Sequence, residues 1–177
     1  ITSSSDPVTV DASANSTGIT IDGGLGGFSL FNLQGFSNIT LRALTISNGG
    51  GTGGNFGGAM QVGTSSTATF DNCTLSGHQV GFAATGFGGA ISNNGILTLT
   101  NCTLSGNQSG MTTSGRGGAI HNTGTATLTH CTLANNAAGF TGGAINNDST
   151  LTLTHCTLSG NTADRAGAVA NQASRTL

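Results

Sequence analysis

A pattern of alternating apolar and polar residues recurs along the chain. Residues 88–107 read GGAISNNGILTLTNCTLSGN, and closely similar stretches begin at Gly117 (GGAIHNTGTATLTHCTLANN) and at Gly142 (GGAINNDSTLTLTHCTLSGN). Runs such as LTLT alternate with a period of two residues, the pattern of a half-buried strand. Thr suits such strands because its branched side chain packs well on a pleated surface. Since Gly, Asn and Ser separate the runs, the pattern predicts repeated short β-strands.

The spacing of the repeat predicts the architecture. Cys73, Cys102, Cys131 and Cys156 follow one another at intervals of 29, 29 and 25 residues, and Leu44 occupies the same slot one repeat earlier. A fixed period of about 20–50 residues indicates a solenoid or an array. We therefore predict an all-β fold, a single parallel β-helix (β-solenoid) over residues 1–177, with about six coils. Residues 1–18 are expected to form an irregular segment or a first partial coil.

Each coil is predicted to contain three short strands, exemplified by Gly89–Asn93, Leu97–Thr100 and Cys102–Ser105. Strand alternation assigns one set of side chains to the interior. The predicted inward columns are Leu41, Phe70, Leu99, Leu128 and Leu153; Ile46, Leu75, Leu104, Leu133 and Leu158; and Met60, Ile91, Ile120, Ile145 and Val169. A column of Ala preceded by Gly predicts a tight corner. Asn93, Asn122, Asn147 and Asn171 are predicted to form a hydrogen-bonded ladder along the axis.

Composition excludes several functions. Charged residues make up 6% of the chain, Gly contributes 31 of 177 residues, and the formal net charge is −2. Four Arg and no Lys do not form the basic footprint of a nucleic-acid-binding protein. No apolar run is long enough to span a bilayer. The stretches GGLGG and GGGTGG lack the helix and the Lys of a phosphate-binding loop, so no cofactor is expected.

The motif GGAI followed by G-x-LTLT-N-CTLSGN resembles the right-handed parallel β-helix repeats of large bacterial surface and secreted proteins. The GGAI element is similar to that of chlamydial polymorphic outer-membrane proteins, although their FxxN element is absent from its usual place. The resemblance covers most of the chain from about Ile19, and the right-handed winding is taken from it. It implies an extracellular or cell-surface location and a non-catalytic structural or adhesive role, often as a stalk or passenger domain.

The repeat varies in length at one place, after SGN and before GG, where inserts carry several large apolar residues. Loops accept insertions at little cost, so these inserts are expected to share one edge of the solenoid. Exposed apolar loop residues can mark an interaction surface. The candidate contact residues for an unidentified surface partner or glycan are Phe82, Phe87, Met111 and Phe140.

Threonines form the most regular outward feature. Alternate strand residues lie roughly 6.6 Å apart and neighbouring rungs roughly 4.8 Å apart, so repeated Thr-x-Thr predicts a flat hydroxyl array. Such an array resembles the ice-binding face of antifreeze β-solenoids, which makes ice binding the alternative function; strand stabilisation explains the same residues. The candidate ice-binding residues are Thr98, Thr100, Thr127, Thr129, Thr152, Thr154, Thr103, Thr132 and Thr157. Arg42 and Asp71 interrupt the array in its first coils.

The remaining polar residues predict no catalytic or metal site. The four Cys can form two disulfides or a column of small buried thiols. His130 and His155 share one slot and are expected to be solvated turn residues, whereas His78 and His121 stand apart. The β-helix fold is shared with pectate lyases, which are expected to group acidic residues around Ca²⁺, so a polysaccharide-binding or lyase-like β-helix is a second alternative. Here the Asp residues are scattered, and only Asp71 falls beside an Arg, in an exposed ion pair with Arg42.

Residues 166–171 match the GGAI-x-N slot of a further coil, and the sequence stops inside the strand that follows. We therefore expect the chain to be a segment of a longer protein. End-to-end self-association is the alternative, because an uncapped solenoid exposes unpaired strand edges.

Overall fold

The computed structural model describes residues 6–24, 26–50, 56–81, 86–110 and 114–172. Within these ranges the regular structure consists of β-strands, arranged as three six-stranded parallel sheets and one small three-stranded sheet. Successive coils stack along one axis for about five turns, with three principal strands in each coil. This confirms the predicted β-solenoid.

Each principal sheet takes one strand from every coil. Sheet 1 contains Val8–Asp11, Asn38–Arg42, Thr67–Asp71, Ile96–Thr100, Thr125–Thr129 and Thr150–Thr154. Sheet 2 contains Ile19–Asp22, Leu44–Ser47, Thr74–Ser76, Thr103–Ser105, Thr132–Ala134 and Thr157–Ser159. Sheet 3 contains Phe31–Leu33, Met60–Val62, Ile91–Asn93, Ile120–Asn122, Ile145–Asn147 and Val169–Asn171. The small sheet contains Gln79–Val80, Gln108–Ser109 and Ala137–Ala138, which the sequence pattern did not predict.

The strands pair so that equal slots of the repeat lie directly above one another. Leu99, for example, pairs with Leu128 on one side and with Phe70 on the other. The predicted inward columns are buried through the middle coils, and Leu41, Leu75 and Ile91 are fully inaccessible. Leu153 is 37% exposed because its strand is the last one of sheet 1 in the described part of the chain. The core is therefore a narrow column of Leu, Ile and Ala that runs the length of the rod.

The coil turns between sheets at positions with unusual backbone geometry. The corner between sheets 1 and 2 is formed on successive rungs by Ala43, Asn72, Asn101, His130 and His155, whose φ angles lie between 51° and 55°. Asn tolerates this left-handed conformation better than most residues, because its side chain can hydrogen-bond locally. The corner before sheet 3 needs Gly for space: a Cβ on Gly118 would lie 2.1 Å from the carbonyl oxygen of Gly143 on the next rung.

Sheet 3 ends on the predicted asparagine ladder. The Asn93 amide donates to the side-chain oxygen of Asn122 at 2.6 Å, Asn122 donates to Asn147 at 2.6 Å, and Asn147 donates to Asn171 at 2.8 Å. The first three side chains are almost completely buried. A buried amide without partners is costly, so each rung stabilises the position of the next one.

A second asparagine ladder, which we did not predict, follows sheet 2. Asn107 donates to Asn136 and Asn136 donates to Asn161, both at 2.9 Å. Each of these amides also donates to a leucine carbonyl of the preceding rung, as Asn107 does to Leu75 at 3.1 Å. The signal was present in the sequence, since each Asn stands five residues after a repeat Cys.

The cysteines occupy the corner immediately before sheet 2 rather than its first strand position. All four are free thiols; Cys73, Cys102 and Cys131 are buried, and Cys156 is partly buried. The Cys102 thiol donates to the Thr100 carbonyl oxygen at 3.2 Å. The column of small buried thiols, one of the two alternatives left by the sequence, is thus the arrangement in this structure.

Replacement of Asn122 by Ala is expected to lower the free energy of unfolding by about 3 kcal/mol, because Asn93 and Asn147 each lose a buried partner. Urea denaturation followed by circular dichroism measures the change. The matched control is Thr123→Ser, an exposed neighbour that keeps the hydroxyl bonded to Asn94 and is expected to change stability by less than about 0.5 kcal/mol. Equal stability of the two variants would contradict a stabilising role for the ladder.

Candidate functional site

The outward face of sheet 1 carries an unbroken central column of threonine side chains. The central column is formed by Thr9, Thr40, Thr69, Thr98, Thr127 and Thr152, each paired in register with the next. Thr100, Thr129 and Thr154 lie beside it in the C-terminal coils, and Thr125 and Thr150 lie on its other side. Thr9 was missed in the sequence because the first strand lies outside the recognisable repeat.

Sheet 2 presents a second hydroxyl face. Its outward column comprises Thr20, Thr45, Thr74, Thr103, Thr132 and Thr157, again paired rung by rung. A parallel column of Ser47, Ser76, Ser105 and Ser159 accompanies it, with Ala134 in one rung. The structure thus places six of the nine Thr candidates on sheet 1 and the other three, Thr103, Thr132 and Thr157, on sheet 2.

Charged side chains interrupt the sheet 1 face at its N-terminal end. Arg42 lies between two carboxylates, with side-chain distances of 3.8 Å to Asp11 and 3.9 Å to Asp71. The Asp71 contact was predicted. The Asp11 contact was not, and it arises because Val8–Asp11 joins sheet 1 in register with Asn38–Arg42. These exposed pairs contribute little stability but divide the face into a charged and an uncharged part.

The outward face of sheet 3 is covered, unlike the other two. Its central outward side chains Ser92, His121 and Asn146 are 4%, 7% and 0% exposed. The segments that return from the inserts pack on them: Phe87 stacks on the His121 ring with a centroid distance of 4.8 Å. Phe87 and Arg116 are also paired by a parallel bridge. The described ends of the inserts, which carry Phe87 and Arg116, therefore form a lid over this sheet.

His121 does not stand apart, as the sequence suggested. Its Nδ1 accepts a hydrogen bond from the Asn146 amide at 3.2 Å, and its Nε2 lies 3.9 Å from an Asp148 oxygen. Burial lowers the pKa of His121, against the opposing effect of Asp148. An imidazole beside a carboxylate is common in catalytic sites, but here the Phe87 ring stacks on the imidazole, so His121 joins sheet 3 to the segment that carries Phe87.

The predicted loop contacts have different surroundings. Phe82 and Met111 lie outside the described residues. Phe87 is partly buried by its stacking on His121, and Phe140 is partly buried beneath the Arg165 guanidinium, 5.0 Å from its ring centre. The most exposed aromatic side chains of the described chain are instead Phe28, Phe36 and Phe56, at 86%, 75% and 47%. Phe28 and Phe36 precede the regular repeats, whereas Phe56 stands directly before GGAM, in the slot that Phe87 occupies one coil later.

His78 was also expected to stand apart, yet it occupies the first described position of the second ladder. Its Nδ1 accepts the backbone N–H of Gly49 at 2.9 Å, and its Nε2 donates to the carbonyl oxygen of Ile46 at 3.0 Å. Asn107 makes the equivalent contacts one rung later, with the His78 N–H and the Leu75 carbonyl oxygen. Burial lowers the pKa of His78 from its ordinary value to about 4, so the ring is neutral at pH 7.

Two smaller features complete the surface. A shallow groove of about 370 Å³ lies at the corner of the first coils, lined among others by Ser13, Asn15, Thr45, Asn72 and Thr74. Farther along the same corner, the rings of His130 and His155 stack with a centroid distance of 5.0 Å and an interplanar angle of 5°.

Across the described ranges, no three His, Cys or Asp side chains are grouped closely enough to hold a metal ion. Nor do these ranges contain a helix with the length and hydropathy needed to cross a membrane.

Comparison with known proteins identifies the fold and nothing finer. A family model described as a right handed beta helix region matches residues 8–177. No curated protein matches the chain, and no solved structure matches it.

The position of His78 predicts a loss of stability in acid. Because the pKa of the folded state lies below the ordinary value of 6.5, the unfolded chain binds a proton first as the pH falls. The contribution of His78 to the free energy of unfolding is fully present above about pH 7 and decreases between pH 6.5 and pH 4. The total decrease is about 3 kcal/mol. We expect His78→Asn to remove that part of the decrease in urea denaturation at pH 7, 5.5 and 4.

The matched variant is Asn107→His, which places a second imidazole in the same ladder and should deepen the acid-induced decrease. His121 contributes to the decrease in all three proteins, so the comparison isolates the ladder position. An unchanged pH dependence in His78→Asn would show that the buried ring does not control it.

Proposed function

The chain belongs to the right-handed β-helix family, and we propose that it is a non-catalytic structural and adhesive segment of an exported bacterial surface protein. The observation that carries the proposal is the pair of buried asparagine ladders beside an uninterrupted apolar core. Together they favour a stiff rod, whose function is to extend a contact surface away from its point of attachment.

The stiffness argument rests on what sliding or bending would break. Displacing one rung relative to the next separates amide pairs such as Asn93–Asn122 and Asn107–Asn136, which are buried and cannot exchange their partners for water. The same displacement would open the Leu and Ile columns. Adjacent rungs therefore move together, and a force applied at one end is transmitted along the axis.

The contact surface proposed for adhesion is the insert edge. Of the predicted residues, Phe140 is the better probe, because it faces Arg165 at the surface, whereas Phe87 stacks on His121 and supports the lid. Phe82 and Met111 belong to the same inserts. A half-exposed aromatic ring beside a guanidinium suits a glycan or a protein surface, since both offer apolar area with polar groups around it.

Surface location is tested by labelling source cells with an antibody raised against residues 1–177. Intact cells are expected to be labelled, and external protease is expected to remove the signal. Labelling that requires permeabilised cells would contradict export.

Adhesion is tested by retention of the purified chain on a panel of immobilised acidic and neutral polysaccharides, with and without Ca²⁺. We expect retention without release of new reducing ends, and a weaker retention of Phe140→Ser at unchanged thermal stability. Thr123→Ser is the control for an exposed position away from the inserts. Release of reducing ends would replace the proposal with a polysaccharide-degrading enzyme.

Ice binding is the second candidate function, and the in-register threonine columns favour it. Rungs roughly 4.8 Å apart and alternate residues roughly 6.6 Å apart give a flat lattice of hydroxyl and methyl groups. The uncharged part of sheet 1, with Thr98, Thr127 and Thr152 at its centre, is wider than the sequence indicated, because Thr125 and Thr150 extend it.

Thermal hysteresis of the purified chain tests this candidate. If sheet 1 binds ice, Thr127→Tyr should abolish most of the hysteresis by preventing a flat fit. Thr132→Tyr, the equivalent change on sheet 2, reports whether that face contributes, and Thr123→Tyr is the control off both faces. No hysteresis at millimolar protein concentration would remove the candidate.

A further inference from the structure

His130 and His155 form the one stacked imidazole pair among the described residues. They occupy the same corner slot on adjacent rungs, and both have left-handed backbone conformations, with φ of 53° and 51°. The backbone N–H of His130 donates to the Thr154 carbonyl oxygen at 2.9 Å, which holds the two corners in register. The spacing of the rings is therefore imposed by the backbone.

The two rings are available for coordination. Both residues are exposed, unlike His78 and His121, whose ring nitrogens already have partners. Within the described part of the chain, neither His130 nor His155 makes a side-chain hydrogen bond or an ion pair. Four ring nitrogens thus face solvent at one corner of the rod.

We propose that His130 and His155 chelate a single divalent transition-metal ion of the Ni²⁺ or Cu²⁺ type. Neutral imidazole is a preferred ligand of these ions, and tetragonal coordination by nitrogen and oxygen is their usual geometry. Two imidazole nitrogens would occupy two positions, and water the others. The site stands independently of the proposed adhesive function, because it lies on the corner between sheets 1 and 2 and not on the insert edge.

The geometry requires a small rearrangement. Metal–nitrogen bonds of roughly 2.1 Å place nitrogens that occupy adjacent coordination positions roughly 3 Å apart. The ring centres are 5.0 Å apart and nearly parallel, so the rings must turn out of the stack and bring their bonded nitrogens roughly 2 Å closer together than the ring centres are now. Exposed side chains can make this rotation without any change in the backbone.

The repeat itself supplies the control variants. The same corner slot holds Asn72 and Asn101 in earlier rungs, with φ of 55° and 54°. Asn is therefore compatible with the backbone at residues 130 and 155, and His is compatible with it at residue 101. His130→Asn and His155→Asn remove one ligand each, whereas Asn101→His extends the column to three imidazoles.

The experiment is a calorimetric titration of the full 177-residue chain with Ni²⁺ alone, in a buffer that does not bind metals. We expect one ion per chain. Each single Asn variant should weaken binding by at least roughly tenfold, because even outer-shell partners of metal ligands change affinity by about 10- to 100-fold. Asn101→His should strengthen binding.

A spectroscopic measurement locates the ion. Paramagnetic Ni²⁺ should broaden the ring-proton resonances of His130 and His155 before those of His78 and His121. Equal affinity of the wild type and His130→Asn would overturn the proposal, as would broadening confined to other residues. Loss of binding in Cys156→Ser with unchanged binding in His155→Asn would assign the ion to the thiol column and overturn it equally.

Discussion

The structure depends on hydrogen bonds that run parallel to the rod axis. Backbone groups of each rung bond to the next rung, as they do in any parallel sheet, but here buried side-chain amides do so as well. An amide in this position has a donor and an acceptor to satisfy, and its partners are side-chain and backbone groups of the neighbouring rungs. The ladders therefore align each coil with the next one along the axis.

The register between rungs also determines which outward side chains are exposed. In sheets 1 and 2 the outward slots remain open, and identical residues in identical slots become straight rows of hydroxyl groups. In sheet 3 the outward slots lie beneath the described ends of the inserts, such as Phe87, so Ser92, His121 and Asn146 are enclosed. A repeat with three chemically similar strands thus yields two open faces that carry hydroxyl groups and one covered face.

Histidine illustrates how the slot decides the chemistry. His78 replaces an Asn of the second ladder, where its two ring nitrogens reproduce the contacts of the amide and burial keeps the ring neutral. His130 and His155 replace the Asn of the sheet 1–2 corner, where the rings stack in the open. The same exchange of Asn for His therefore produces an acid-sensitive internal position in one column and a pair of free ligands in another.

The sequence by itself determined the solenoid, its inward columns and the first asparagine ladder, because a period near 29 residues brings equal slots together whatever the details of the turns. It did not reveal the second ladder, the strand at Val8–Asp11 or the role of His121. The second ladder forms because the Asn side chains after sheet 2 point into the interior, and the alternation of the strands does not predict that direction. The first strand belongs to no complete repeat. Only the tertiary structure decided these points. The surroundings of His121, for example, follow from the packing of Phe87 and Asp148 around its ring and not from the alternation within a strand.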